Sequence, residues 1–125
     1  MTEVPLERLA EMVGAEVEET VRAVKIALFN GVIRDTRVDT GRLRGNWQTT
    51  TGAPAAGQLD RVDEVPQGTD GGGAQAEVER EVTPYGVDYL SNNLSYAEVW
   101  EQRDGMVARN VARIDRTVKE AIDDA

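Results

Sequence analysis

The sequence predicts an α+β fold with a long N-terminal helix, a small and mostly antiparallel sheet, short helices and a C-terminal amphipathic helix. Three observations carry this prediction. An apolar stripe runs through the first part of the chain, short β-branched and aromatic runs occur at two later places, and apolar residues recur at helical spacing near the end. A chain of 125 residues is expected to form one domain over 1–125.

The N-terminal helix is predicted over about residues 3–36, with a bend near Gly31 left open. Thr2 is the expected N-cap, and Pro5 falls in the first turn, where its missing N–H costs little. Such a helix is roughly 50 Å long, more than a compact domain of this size needs. Part of its stripe is therefore expected to pack outside its own core. The stripe consists of Leu6, Leu9, Val13, Val17, Val21, Val24, Leu28 and Val32.

Residues 52–73 are poor in signals for regular structure. The segment contains six of the twelve glycines and four acidic residues against a single arginine. This composition buries too little apolar surface to offset the entropy of the chain. We therefore expect a mobile excursion here and not a second domain.

The later part of the chain predicts short elements separated by breaks. A helix is expected over 74–82, with a strand as the alternative because alternate residues there are also apolar. A short strand over 87–90, a turn at 92–93 and a helix over 96–101 follow, and Gly105 ends that helix. One final amphipathic helix is marked by Val107, Val111, Ile114, Val118 and Ile122, with Arg109, Arg113 and Arg116 facing solvent.

The stretch RVDTGRLRGNWQTTTG, over 37–52, is the most distinctive in the sequence. Its Asp-Thr-Gly is weak as an aspartic-protease motif, because that chemistry needs two carboxylates sharing a proton and the motif occurs once. Its Arg-Leu-Arg lacks the glycine-rich cradle of a phosphate-binding loop. A structural corner between a helix and a strand is the favoured interpretation.

In this corner, either Asp39 or Thr40 is expected to cap a turn that starts near Gly41. Leu43 is expected to point inward from the turn. The flanking Arg42 and Arg44 are expected to lie in solvent. The next residues, 47–51, alternate as in a half-buried strand.

The composition argues against several classes of function. The chain has no cysteine and no histidine, which removes thiolate metal sites and the commonest general base and metal ligand. A net charge of −9 opposes a surface that binds duplex DNA. No apolar run is long enough to cross a bilayer, and the acidic N-terminus does not suit a signal peptide. We expect no enzymatic activity, no catalytic residue, no metal and no cofactor.

Two blocks of sequence resemble the tail-completion (neck) proteins of long-tailed bacteriophages. The first is VDTGRLRGNWQ after a long helix, and the second is YLSNNLSYAEVWE, followed by Gly-Met before a last helix. The second block departs from the family in its short Glu-Gln-Arg-Asp-Gly-Met segment, where the family commonly has a longer loop. The matching positions are Val38, Asp39, Thr40, Gly41, Arg42, Leu43, Trp47, Asn92 or Asn93, Leu94, Tyr96, Ala97 and Glu101.

The resemblance implies a non-enzymatic structural protein of the virion at the head–tail junction. Its implied partners are further copies of itself in a ring, which we expect to be sixfold, and neighbouring connector, tail-terminator or tail-tube proteins. DNA would pass the lumen without specific binding, and assembly would take place in the host cytoplasm. Aromatic side chains are expected to serve as core or interface anchors. They are Trp47, Tyr89, Tyr96 and Trp100.

Two other classes of function stay open on the sequence alone. An acidic regulatory module or DNA mimic would use the negative charge to occupy a basic groove on a host protein. The nearby arginines at 34, 37, 42 and 44 count against it. A small hydrolase built on Asp39 with Glu98 or Glu101 is the least favoured, because no histidine or metal-ligand spacing supports it.

Overall fold

The computed structural model describes the backbone of residues 6–123 and, apart from residue 121, the side chains from residue 17 to residue 123. The expected N-cap Thr2 and Pro5 lie outside the described residues. Within them the chain forms six helices and one two-stranded antiparallel sheet, which confirms the predicted α+β fold. The elements are α1 (Leu6–Arg34), α2 (Arg42–Gly45), β1 (Gln48–Thr51), α3 (Gly73–Glu81), β2 (Asp88–Ser91), α4 (Ala97–Asp104), α5 (Met106–Ala112) and α6 (Ile114–Asp123).

The C-terminal half of α1 is the centre of the core. Helices α3, α5 and α6 pack against it, and its residues Phe29, Val32 and Ile33 are buried. Towards the N-terminus the stripe comes out of the core, because Val17 is 53% exposed and Val21 is 36% exposed. Among the stripe side chains that the structure describes, Leu28 and Val32 therefore lie at the core, whereas Val17 and Val21, which we call the exposed half of the stripe, do not. The buried cluster consists of Phe29, Val32, Ile33, Leu43, Trp47, Ala74, Val78, Val82, Leu94, Ala97 and Met106.

The sheet pairs β1 with β2 in a register that joins Gln48 to Ser91 and Thr51 to Asp88. Just before β1, Trp47 is buried and its indole N–H donates a hydrogen bond to the Thr36 hydroxyl at 2.8 Å. Trp47 thus fastens the start of the strand to the end of α1. The strand predicted over 47–51 begins one residue later than expected, and the strand predicted over 87–90 is shifted by one residue.

The segment predicted as a helix over 74–82 is helical, as α3 (Gly73–Glu81), so the strand alternative is wrong. Val78 faces the core, while Glu77 reaches the outer edge of β1 and accepts a hydrogen bond from the backbone N–H of Thr49 at 2.8 Å. Helix α3 therefore covers one edge of the small sheet.

The prediction of a single final helix is wrong. The chain is helical from Met106 to Ala112 and again from Ile114, but Arg113 between them leaves the helix and its N–H donates to the Asn110 carbonyl at 3.2 Å. The Asn110 side chain also donates to Met106 and to Asp35, which fixes this turn to the end of α1. That tertiary contact overrides the continuous apolar spacing of the sequence. None of the helices in the described part of the chain is long and apolar enough to cross a membrane.

Candidate functional site

The turn after α1 requires glycine at its first position. Gly41 has φ +85°, and a Cβ there would lie 2.7 Å from the Asp63 carbonyl oxygen. Gly41 is the N-cap of α2, and no side-chain hydrogen bond caps this helix. The N-cap residue is therefore Gly41 and not Asp39 or Thr40. Thr40 still contributes to the turn as expected, because its hydroxyl accepts a 3.3 Å hydrogen bond from the Arg42 N–H. Glycine occupies the N-cap position because the backbone at Asp63 lies too close to it for any side chain to fit.

The burial of Arg44 is the largest difference between the corner that the sequence predicts and the corner in the structure. The sequence predicts it in solvent, but its side chain is fully buried and its Nε lies 3.3 Å from an oxygen of the equally buried Asp63. Its guanidinium also donates to the carbonyl oxygens of Thr69 and Gly71, at 3.0 and 2.9 Å. A buried charge needs such a paired and hydrogen-bonded environment, and the 52–73 segment supplies it. The flanking Arg42 is exposed, as predicted.

The segment over 52–73 lies along the corner and contains no helix or strand before Gly73. Asn46 exchanges two hydrogen bonds with the backbone of Leu59, at 2.8 and 3.1 Å. The Arg61 side chain donates to the carbonyl oxygens of Gly45 and Trp47, at 2.8 and 2.6 Å. The mobility of the 52–73 segment stays a prediction. These contacts hold its part around 59–63, and the hydrogen bonds from Arg44 hold its end at Thr69 and Gly71.

The second block of the resemblance meets the first at this corner. The side-chain amide of Asn92 donates to the Leu43 carbonyl at 2.8 Å, across 49 positions of sequence. Asn93 instead donates to the carbonyl oxygens of Ala55 and Gly57. Leu94 is buried beside them. Of the two asparagines left open by the sequence, Asn92 is the one that joins the blocks.

Residues from both blocks enclose a cleft of about 150 Å³, which we call the corner cleft. On one wall, the Arg37 guanidinium lies 3.8 Å from the centre of the Trp100 ring. It also donates two hydrogen bonds to Asp104, at 2.7 and 2.8 Å. The lining residues are Arg37, Asp39, Thr40, Leu43, Tyr96 and Trp100.

The electrostatics of the cleft wall follow from the pair of Arg37 with Asp104. The hydrogen bond from Arg37 lowers the pKa of the Asp104 carboxyl, although burial acts in the opposite direction. The same hydrogen bond raises the pKa of Arg37. The charge of Arg37 on Trp100 is therefore neutralised locally by Asp104. The cleft presents an aromatic and aliphatic surface, with the exposed carboxylate of Asp39 also in its lining.

Glu101 has a structural position next to the cleft. Its two carboxylate oxygens accept hydrogen bonds from the backbone N–H groups of Val107 and Ala108, at 2.8 and 3.1 Å. It thus caps α5 across the short segment that departs from the neck-protein pattern, where Gly105 has φ +62°. Both carboxylate oxygens of Glu101 are therefore engaged in holding the start of α5. In the described part of the chain, no group of three or more acidic residues is arranged to hold a metal ion.

The remaining predicted site residues are divided between core and surface. Val38 is half-buried at the corner, and Leu43 and Trp47 belong to the core. Tyr96 is 38% exposed at the rim of the cleft. Three residues later, in the first turn of α4, Val99 is 51% exposed, and the sequence did not single it out. Sequence reasoning missed the pairs of Arg44 with Asp63 and of Arg61 with Glu77, because no local pattern distinguishes them from surface charges.

The comparisons with known proteins gave no match to this chain, whether to a protein family, a curated protein or a solved structure.

Proposed function

We propose that this chain is a non-enzymatic structural protein of a long-tailed bacteriophage virion, acting as a repeated subunit of a ring around the DNA channel at the head–tail junction. The two blocks that resemble neck proteins carry this proposal. The observation that supports it best is the hydrogen bond from Asn92 to Leu43, through which these distant blocks form one corner with a cleft. A pattern of residues that meets in space is a stronger signal than two separate short motifs.

A ring needs two different contact surfaces on each subunit, because one heterologous contact is repeated around an axis. The exposed half of the α1 stripe, at Val17 and Val21, offers one apolar surface. The rim of the corner cleft at Tyr96, with the exposed Val99 in the first turn of α4, offers another. Val17 and Arg34, the last residue of α1 before the corner, are roughly 25 Å apart along the helix axis. Two separate apolar surfaces suit a ring, in which each subunit contacts its two neighbours through different surfaces, better than a two-fold dimer, in which one surface pairs with itself.

The charge of the chain is compatible with this position. A net charge of −9 would let DNA pass the lumen without binding, since like charge suppresses phosphate contacts. The ring would be hexameric and would stack on connector, tail-terminator or tail-tube proteins. The free subunit would close into the ring only on such a partner.

The test is the assembled particle. Purified virions should contain this chain in multiple copies, measured by quantitative mass spectrometry against the portal protein as an internal standard. Imaging of the head–tail junction should show the repeated subunit with its long helix packed on a neighbour. Absence of the chain from purified particles, or a single copy away from the junction, would refute the assignment.

A second candidate is an acidic module that occupies a basic groove on a host protein, and one observation favours it. The four arginines that argue against it in the sequence do not form one basic surface, because Arg44 is buried and Arg37 is engaged by Asp104. Such a module would stay small and would be missing from particles. It would also bind a DNA-binding protein in competition with DNA, which a neck subunit should not do.

A further inference from the structure

The pairing of the two strands fixes which backbone groups of β2 point away from β1. The N–H of Gly52 donates to the Val87 carbonyl at 2.8 Å, one step beyond the ladder and in its register. Hydrogen-bonded pairs alternate with non-bonded pairs along an antiparallel ladder, so Tyr89 and Ser91 bond to β1 while Asp88 and Leu90 direct their backbone groups outward.

The outer edges of the two strands are in different environments. On β1, the outward N–H of Thr49 is satisfied by Glu77 of α3, which agrees with the alternation derived from Gly52. On β2, no hydrogen bond from the described residues reaches the backbone N–H or carbonyl of Leu90. An unpaired N–H and carbonyl on an edge strand form a template for another strand.

The surface beside this edge is apolar and open. A hollow of about 130 Å³ lies against Leu90, between α1 and α5. Val111, one of its lining residues, is 52% exposed. The hollow is lined by Leu28, Phe29, Val32, Leu90, Val107 and Val111.

Charge does not protect this edge. Asp88 is the charged residue of β2, and its carboxylate is paired with the Lys25 ammonium at 2.8 Å. Burial raises the pKa of Asp88, but the hydrogen bonds from Lys25 and Thr51 outweigh this and lower it below its ordinary value. The pair therefore stays ionised and locally neutral, whereas natural edge strands commonly use an unpaired charge to prevent association.

We propose that the outer edge of β2 pairs with the same edge of a second copy of this chain, so that the free protein forms a two-fold dimer. Antiparallel pairing centred on Leu90 lets the two copies exchange the N–H and carbonyl that are unpaired in each. In that register Leu90 faces Leu90, Tyr89 faces Ser91, and Asp88 faces the neutral Asn92 of the second copy. No like charges are opposed, and the hollow lined by Leu90 and Val111 is covered. This dimer is independent of the proposed function, because it uses a different surface from the ring contacts and forms before assembly.

The test combines the size of the protein with the exchange of one amide. Sedimentation equilibrium of the full chain should show a dimer fraction that rises with protein concentration, as is typical of a small interface. Adding 0.5 M salt should not lower this fraction, because the contact is apolar and salt screens the repulsion between the two net charges. By NMR, the Leu90 amide should exchange rapidly with deuterium in dilute protein. In concentrated protein its exchange should slow about tenfold, whereas the Tyr89 and Ser91 amides, which bond to β1, should change little.

A matched pair of variants locates the contact. Val111→Glu should weaken the dimer at least about tenfold, because it places a charge in the covered hollow. Val62→Glu adds the same charge at a valine of similar exposure, 55% against 52%, outside both proposed contact surfaces, and should leave the dimer unchanged. Circular dichroism should show both variants folded. A wild-type protein that is monomeric at every concentration overturns the proposal, and so does a dimer that Val111→Glu leaves intact or in which Leu90 exchange is independent of concentration.

Discussion

At the scale of single residues, the corner depends on glycine where the 52–73 segment touches it. Gly41→Ala should destabilise the fold by about 1–3 kcal/mol, because it combines an unfavourable φ of +85° with a Cβ close to the Asp63 carbonyl. Gly52→Ala is the matched control, since Gly52 has φ +87° but open space around it. Urea unfolding should therefore give a larger loss for Gly41→Ala. Equal losses would mean that only the backbone conformation matters and that the approach of Asp63 does not.

The buried pair of Arg44 with Asp63 predicts the largest effect of a single substitution. Arg44→Met should cost about 3–5 kcal/mol, because it leaves the Asp63 carboxylate buried without its partner. Arg42→Met, two positions away on the exposed side of α2, should change stability by no more than about 0.5 kcal/mol. Chemical denaturation measures both. If the two variants are equally stable, the description of Arg44 as the buried anchor of the corner is incorrect.

The pair of Arg37 with Asp104 predicts a dependence of stability on pH. The pKa of Asp104 is lowered in the folded state, so this carboxylate contributes stability above its ordinary pKa of about 4, and the contribution is lost as the pH falls through the lower, folded value. Asp104→Asn should therefore flatten the fall in melting temperature between about pH 5 and pH 2. Asp60→Asn, which removes an exposed carboxylate from the 52–73 segment, should keep the wild-type pH profile.

At the scale of elements, the sequence predicts what depends on local spacing and fails where distant residues decide. The helical steps in α1 and α3 and the β-branched run of β1 identify these elements to within a few residues. The break at Arg113 depends on the contact of Asn110 with the end of α1, and the burial of Arg44 depends on a carboxylate nineteen positions later. Neither partner can be recognised from neighbouring residues, so these two predictions are wrong for the same physical reason.

The contacts of the 52–73 segment make the prediction of its mobility more specific. Limited proteolysis with elastase, which cleaves after small residues, should cut first in the exposed run at 52–57, where the described residues hold Ala55 and Gly57 only through side-chain hydrogen bonds. Cleavage near Leu59 and Arg61 should come later, because their backbone and side chain are hydrogen-bonded to the corner. A first cut in α1, or after Asn93, would contradict this organisation.

At the scale of the whole molecule, the candidate site is a surface formed where the two blocks meet. The sequence could suggest which residues belong to this surface, because each of the two blocks is a continuous motif of neighbouring residues. It could not show that Asn92 joins them, or that Trp100 and Arg37 form one wall of a cleft. A corner held by buried polar contacts keeps its shape, and a fixed shape lowers the entropic cost of association with a neighbour.

The exposed half of the α1 stripe gives the prediction that tests this surface in the particle. Val17 is 53% exposed in the free chain, so the charge introduced by Val17→Glu lies in solvent and the melting temperature of the isolated protein should hardly change. If a neighbouring subunit covers this surface in the ring, the same charge is buried without a partner and assembly suffers. Complementation of a phage lacking the protein should then yield at least about tenfold fewer infectious particles with Val17→Glu than with wild type. Val62→Glu, at a valine 55% exposed in the 52–73 segment, is the matched control and should complement normally. Normal complementation by Val17→Glu would show that this half of α1 stays in solvent after assembly, and the ring contact would then have to lie elsewhere.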